Sequence, residues 1–139
     1  MNQEERQAWL GVLLTTIAVL GLIALVSTGS GCAGWQSTTT KTVLGVEAGV
    51  RGAHTFLRTG PCSHAEIAAA GEACIKAKDK TCPALVRCDK AHVAVLRLLA
   101  GVHAAKLAIQ AGSEGTAQAA VVALLKLVPV LQKAVEVWR

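Results

Sequence analysis

Residues 8–26 form an apolar stretch of nineteen residues that carries no charged side chain. As an α-helix this stretch would be about 28 Å long, close to the ~30 Å hydrocarbon core of a membrane. A secretory signal usually has an apolar region of only about 7–15 residues. The sequence therefore predicts that residues 1–31 are a transmembrane or signal helix. Its anchor residues are Trp9, Leu14, Ile17, Leu20 and Ile23.

Small residues and a cysteine follow this stretch. Ser30, Gly31 and Cys32 resemble the lipobox of bacterial lipoproteins, a family whose cysteine is lipidated and becomes the new N-terminus. That resemblance implies lipidation of Cys32, although Gly29 stands where the family usually has Leu or a similar apolar residue. An uncleaved membrane anchor and a buried helix of a soluble fold are the alternatives.

Basic residues are distributed unevenly around the apolar stretch. Arg6 precedes it, and the next basic residue after it is Lys41. Because positive charge favours the inner side of a membrane, this bias predicts that the N-terminus stays inside and the remainder is exported. We therefore expect a membrane-anchored protein on the exported side, in the periplasm or cell envelope.

Four further cysteines, Cys62, Cys74, Cys82 and Cys88, lie close together in the exported part. An even number of cysteines in an exported chain predicts disulfides, here two. Pairing Cys74 with Cys88 would leave Cys62 about 25 Å from Cys82 along a straight helix, whereas a disulfide needs Cα atoms within about 7 Å. The nested pairing, Cys74–Cys82 with Cys62–Cys88, needs less distortion, and we favour it over the crossed alternative.

The exported part divides into a tether and a helical domain. Residues 32–42 are rich in Gly, Ser and Thr, a composition that predicts a flexible tether. In residues 43–139 apolar side chains recur at three- and four-residue steps, and no stretch alternates with a period of two. We therefore predict an all-α fold, an Ala-rich bundle of about four helices with two disulfides.

The apolar spacing predicts which side chains face the core. In the first helix the set is Val43, Val46, Val50, Ala53 and Leu57. In the third helix it is Leu85, Cys88, His92, Val95, Leu99 and Val102.

The last helix has the most regular spacing, and its stripe has two interpretations. Ordinary core packing is one. Because so few charges interrupt this helix, its apolar surface can also exceed what small side chains cover, which makes the stripe a candidate interaction face for a protein partner or a second copy. The stripe consists of Val121, Leu124, Val128, Leu131, Val135 and Trp138.

No pattern of catalytic residues is present. The chain has no Gly-x-Ser-x-Gly, His-Glu-x-x-His or phosphate-binding loop, so we expect no catalytic residue and no enzyme activity. Cys62-x-His64 and Cys88-x-x-x-His92 contain zinc-ligand residue types, but the spacing fits no compact finger and an oxidising compartment would pair the thiols. We therefore expect no metal and no other cofactor.

The charge of the exported part is positive but diffuse. After residue 32 the chain has thirteen basic and seven acidic residues, a net charge of +6. Attraction to anionic lipid or cell-wall polymer, or a plain solvated face, explains this charge better than nucleic-acid binding, because an exported protein rarely meets nucleic acid. No small-molecule substrate is indicated, and the membrane is the partner we expect.

The leader and the composition together resemble small helical lipoproteins of bacterial and prophage-encoded cell envelopes. That resemblance implies a structural or protein-interaction role at the envelope, without catalysis. Two alternatives remain: a single-span phage lysis protein of the holin type, and a small redox or metal carrier.

Overall fold

A computed structural model of the protein describes residues 34–138. It contains four α-helices and no strand in that range, which confirms the predicted all-α fold. The predicted helix over residues 1–31, its anchor residues and Cys32 lie outside the described residues. In chain order the elements are α1 (Trp35–Thr59), α2 (His64–Lys76), α3 (Pro83–Gln110), α4 (Glu114–Val135) and a terminal 3-10 turn (Glu136–Trp138).

Three long helices, α1, α3 and α4, build the core, and α3 packs against both of the others. The five residues predicted to face the core from α1 are all buried, as expected for helical spacing of apolar side chains. The largest fully buried side chains are only leucines and valines, which lets the helix axes lie close together. The side chains that fill the centre are Leu98, Leu124, Leu131, Val43, Val46, Val50, Val95 and Val135.

Gly101 lies where α3 packs closely against α4. A Cβ atom at this position would lie 3.0 Å from Cδ1 of Leu124 and 3.7 Å from Cδ1 of Leu127. Contacts of 3.0 Å between carbon atoms are well inside the optimal separation of about 3.5–4.0 Å. A side chain at position 101 would therefore require the Leu124 side chain to shift.

The predicted seam of α3 is wrong in part. Val95 and Val102 are buried, but His92 is exposed and Leu99 is only partly buried. The reason is that α3 contacts two helices at once, so its buried face is wider than a single seam. Alanines beside the predicted positions form much of that face. The buried residues of α3 are Ala91, Ala94, Val95, Leu98, Val102, Ala105 and Ala108.

The prediction of a flexible tether over residues 32–42 is wrong for 35–42, because α1 begins at Trp35. Thr39 and Thr42 are buried. The Thr42 hydroxyl donates a hydrogen bond to the carbonyl of Thr38 at 2.9 Å, so burial leaves no unsatisfied hydroxyl at that position. A threonine-rich stretch can thus continue a helix when its hydroxyls bond to the preceding turn.

Helix α2 is attached to the bundle differently from the other three helices. Ser63 caps its start by accepting a hydrogen bond from the Glu66 amide at 3.3 Å, one half of the Ser-x-x-Glu capping box, and the Ser63 amide donates to the Gly60 carbonyl instead. Helix α2 has no buried residue. Two disulfides hold it in place, with Cα–Cα distances of 5.6 Å in both. They join Cys62 to Cys88 and Cys74 to Cys82, which confirms the nested pairing.

Replacing Leu98 with Ala should lower the free energy of unfolding by about 2–4 kcal/mol, because the fully buried side chain leaves a cavity in the core. Leu96→Ala is the matched control, since Leu96 lies on the same helix and is 52% exposed. Its effect should stay within about 0.5 kcal/mol. Urea unfolding followed by circular dichroism measures both, and equal losses would contradict the assigned core.

Removing the disulfides should loosen α2 and leave the three-helix core folded. The bridges close loops with sequence separations of 26 and 8 residues, so loss of Cys62–Cys88 should cost about 3.5 kcal/mol and loss of Cys74–Cys82 about 2.5 kcal/mol. The variants are Cys62→Ser with Cys88→Ser, and Cys74→Ser with Cys82→Ser. In both variants, amide hydrogen exchange should become faster in α2 only. Faster exchange of the amides of α1 or α4 would contradict the prediction that the three-helix core stays folded.

Candidate interaction surface

The outer face of α3 is unusually apolar for an exposed surface. Leu96 and Leu107 are 52% and 53% exposed, and the spacing 93, 96, 100, 107 places four residues on one side of the helix, away from the core. We call this set the outer strip. It consists of Val93, Leu96, Ala100 and Leu107, all exposed.

Apolar residues thus lie on both the buried and the outer side of α3. Among the described residues, α3 is the one helix that is long and apolar enough to cross a membrane. In its most apolar 18-residue segment, 33% is buried inside the bundle. The core helix of a soluble protein passes the same test of length and composition. What distinguishes α3 is therefore the outer strip.

A groove adjoins the outer strip where the first half of α3 lies beside the end of α4. Its volume is about 640 Å³. Val93 belongs to both the groove and the strip. The floor is formed by Val93, Ala94, Val130, Ala134 and Val137, and the rim by Arg87, Asp89, Lys90, Arg97 and Lys133.

The rim carries four cations and one carboxylate. In residues 34–138 both ion pairs are made by Glu47, so within this range none of the four rim cations is neutralised by an ion pair. Cations grouped around a concave apolar floor raise the local positive potential and attract anions. The groove therefore combines apolar contact with unneutralised positive charge.

Of the two interpretations of the α4 stripe, the structure shows core packing. Val121, Leu124, Val128, Leu131 and Val135 are buried in the core, and Trp138 is partly buried against it. The stripe is covered because α4 packs chiefly on α3 and also contacts α1. Of the exposed large apolar side chains in the described range, four lie on α3, more than on any other helix, because its two apolar sides cannot both face the core.

Glu47 links α1 to α3. Its Oε1 accepts hydrogen bonds from Nε and NH2 of Arg51 at 3.2 and 2.9 Å, and its Oε2 accepts one from Nζ of Lys106. The hydrogen bond from Lys106, and then that from Arg51, lowers the pKa of Glu47 below its ordinary value of 4.5. The sequence shows the Glu47–Arg51 pair by its four-residue spacing, but Lys106 lies 59 residues away and no local pattern could have indicated it.

Two histidines meet between α1 and α3, which the sequence did not indicate. The ring centroids of His54 and His92 lie 5.9 Å apart. Cys62 and Cys88, the cysteines of the two candidate zinc patterns, are bonded to each other. No group of three or more metal-ligand side chains occurs among residues 34–138.

No protein-family model matches this chain, and no curated protein and no solved structure matches it. A functional assignment therefore depends on the outer strip, the groove and the disulfides.

Glu47→Gln should destabilise the fold at neutral pH and have no effect in strong acid. Because the folded pKa of Glu47 is lowered, its ionised form contributes stability above the ordinary value of 4.5, and that contribution is lost as the pH falls through the folded pKa. With Lys106 39% exposed, the expected loss at pH 7 is only about 0.5–1 kcal/mol.

The control is Glu72→Gln, which removes an exposed carboxylate that has no ion pair in the described range. Urea midpoints measured from pH 7 down to pH 2 should converge for wild type and Glu47→Gln. A difference that persists at pH 2 would show that the side-chain charge is not its cause.

Proposed function

We propose that this protein is an exported, membrane-anchored helical protein that acts by surface binding at the bacterial cell envelope, without catalysis. The observation that carries the proposal is the pairing of Cys62 with Cys88 and of Cys74 with Cys82. Disulfides persist in oxidising compartments outside the cytosol and are rare within it. Structural use of all four cysteines supports folding after export.

The sequence before the bundle supports the membrane anchor. Residues 8–26 have the length and composition of a span, and Ser30, Gly31 and Cys32 resemble a lipobox. Since α1 begins at Trp35, eight residues separate position 26 from the helix, a reach of at most about 28 Å. The bundle would thus stay close to the membrane surface whether the anchor is the apolar segment or a lipid on Cys32.

The side chains of the groove support binding. Its lining consists of valines, alanines, lysines, arginines and one carboxylate, Asp89. Catalysis by acid–base or nucleophilic chemistry requires a paired base, acid or nucleophile, whereas apolar contact beside fixed charge suits recognition. The outer strip adds an apolar surface that the bundle itself leaves uncovered.

Thiol trapping in a bacterial host tests the location of the protein. Expressed with its leader, the full chain should sediment with membranes and have Cys62, Cys74, Cys82 and Cys88 blocked to alkylation until a reductant is added. Deletion of residues 8–26 should leave the four thiols reduced and the protein in the cytosol. A full-length chain that stays reduced and soluble would overturn the proposal.

Labelled palmitate separates the two kinds of anchor. Incorporation that is lost in Cys32→Ser would identify a lipoprotein. Membrane association without label identifies an uncleaved span, and lethality on induced expression in that case would favour the lysis protein of the holin type.

A further inference from the structure

We propose that the outer strip and the adjoining groove dock the bundle flat on a membrane surface that contains acidic phospholipids, with the cations around the groove binding lipid phosphates. This inference deepens the proposed function and rests on it, because residues 8–26 would bring the bundle to the membrane. The partner of this surface is lipid.

The outer strip has the dimensions of an interfacial helix face. From Val93 to Leu107 it extends over fifteen residues, a rise of about 21 Å along the helix. On the α4 side, Val130 and Val137 are 46% and 52% exposed and continue the apolar surface across the groove. A helix face of this kind lies in the plane of a membrane with its apolar side chains at the boundary between headgroups and acyl chains.

The cations are placed where the headgroups would be. Lys90 and Arg97 are three residues before and four residues after Val93, so they follow the same side of α3 as the edge of the strip. Lys133 faces them from α4 across the groove. Lysine and arginine can lay their aliphatic stems along apolar surface while the charged ends reach phosphate.

Asp89 is the opposing charge on this surface. It lines the groove beside Lys90, so the rim has four positive charges and one negative charge. The surplus is positive, and an anionic surface complements it. A zwitterionic membrane would offer the apolar contact and phosphates balanced by choline, without net negative charge.

A second copy of the chain fits this face poorly. Closed dimers are usually two-fold symmetric, and such an interface brings the same surface of both subunits together. The rim cations of one copy would then face those of the other, with no ion pair in residues 34–138 to neutralise them. Acidic lipid supplies the missing negative charge directly.

A photoreactive side chain on the full-length protein tests the docking. Leu96→benzoylphenylalanine places the probe on the outer strip, and Leu44→benzoylphenylalanine places it on α1, where Leu44 is similarly exposed at 50%. The chain is reconstituted in phosphatidylcholine vesicles with or without about a third phosphatidylglycerol. After irradiation, mass spectrometry measures the lipid adducts.

We expect the adduct at position 96 to exceed that at position 44 at least fivefold in vesicles with phosphatidylglycerol, and to fall at least fivefold without it. Lys90→Glu with Arg97→Glu should abolish this difference. Lys41→Glu with Arg58→Glu is the matched control, because it also reverses one lysine and one arginine, both exposed on α1. Circular dichroism verifies folding, and Lys90→Gln with Arg97→Gln replaces the first pair if it fails to fold.

Flotation of the same vesicles separates failure of docking from failure of anchoring. A chain that floats but gives equal adducts at 96 and 44 is anchored and not docked, which overturns this inference alone. A chain that does not float refutes both the anchor and the docking. Adducts to a second protein chain at position 96, in place of lipid, would identify self-association, and equal lipid adducts in both vesicle types would exclude the role of charge.

Discussion

Packing of α3 against two helices at once is the interaction on which the structure depends. Helices α1 and α4 both contact α3 far more than they contact each other. Alanine and valine supply most of the buried side chains of α3, and Gly101 lets α4 approach to contact distance. Because these side chains are small, the helix axes must lie close together for the interior to reach the usual packing density.

The same composition explains the surface. A helix with apolar residues on two sides buries one side and leaves the other exposed, and the outer strip is the exposed apolar side of α3. In α4 the regular apolar stripe is buried, while Val122 and Val130 remain 41% and 46% exposed on its outward side. Both helices therefore keep some apolar side chains on their outer surfaces, and those of α3 form the outer strip.

The elements with one clear periodicity could be predicted from the sequence. The core face of α1, the cap at Ser63 and the nested disulfides followed from spacing and local chemistry. The buried face of α3 could not be predicted, because apolar residues on two sides of a helix indicate no single preferred face. The helical start at Trp35 was missed because threonine hydroxyls can bond to the preceding turn, which composition alone does not reveal.

The candidate surface could not be predicted from the sequence, because it depends on contacts between residues that are distant in sequence. Lys106 reaches Glu47, His54 meets His92, and Lys133 joins the rim with Arg97 only because the helices run alongside one another. None of these pairs has a local spacing that a sequence pattern could show. The rim cations were visible as a diffuse positive charge, and the fold places part of that charge around one groove.

Helix α2 has a consequence for how this chain can vary. Since it contributes no buried side chain and is fixed by two covalent bridges, its exposed residues between Cys62 and Cys74 are constrained mainly by helix formation. The turn up to Cys82 is constrained further, because Lys78 has a positive φ of 53° and Asp79 accepts two hydrogen bonds from Thr81. Exposed residues of this segment can therefore be substituted during evolution without changing the packing of the core. For the same reason it is the natural position for inserting an epitope or a reporter into the chain.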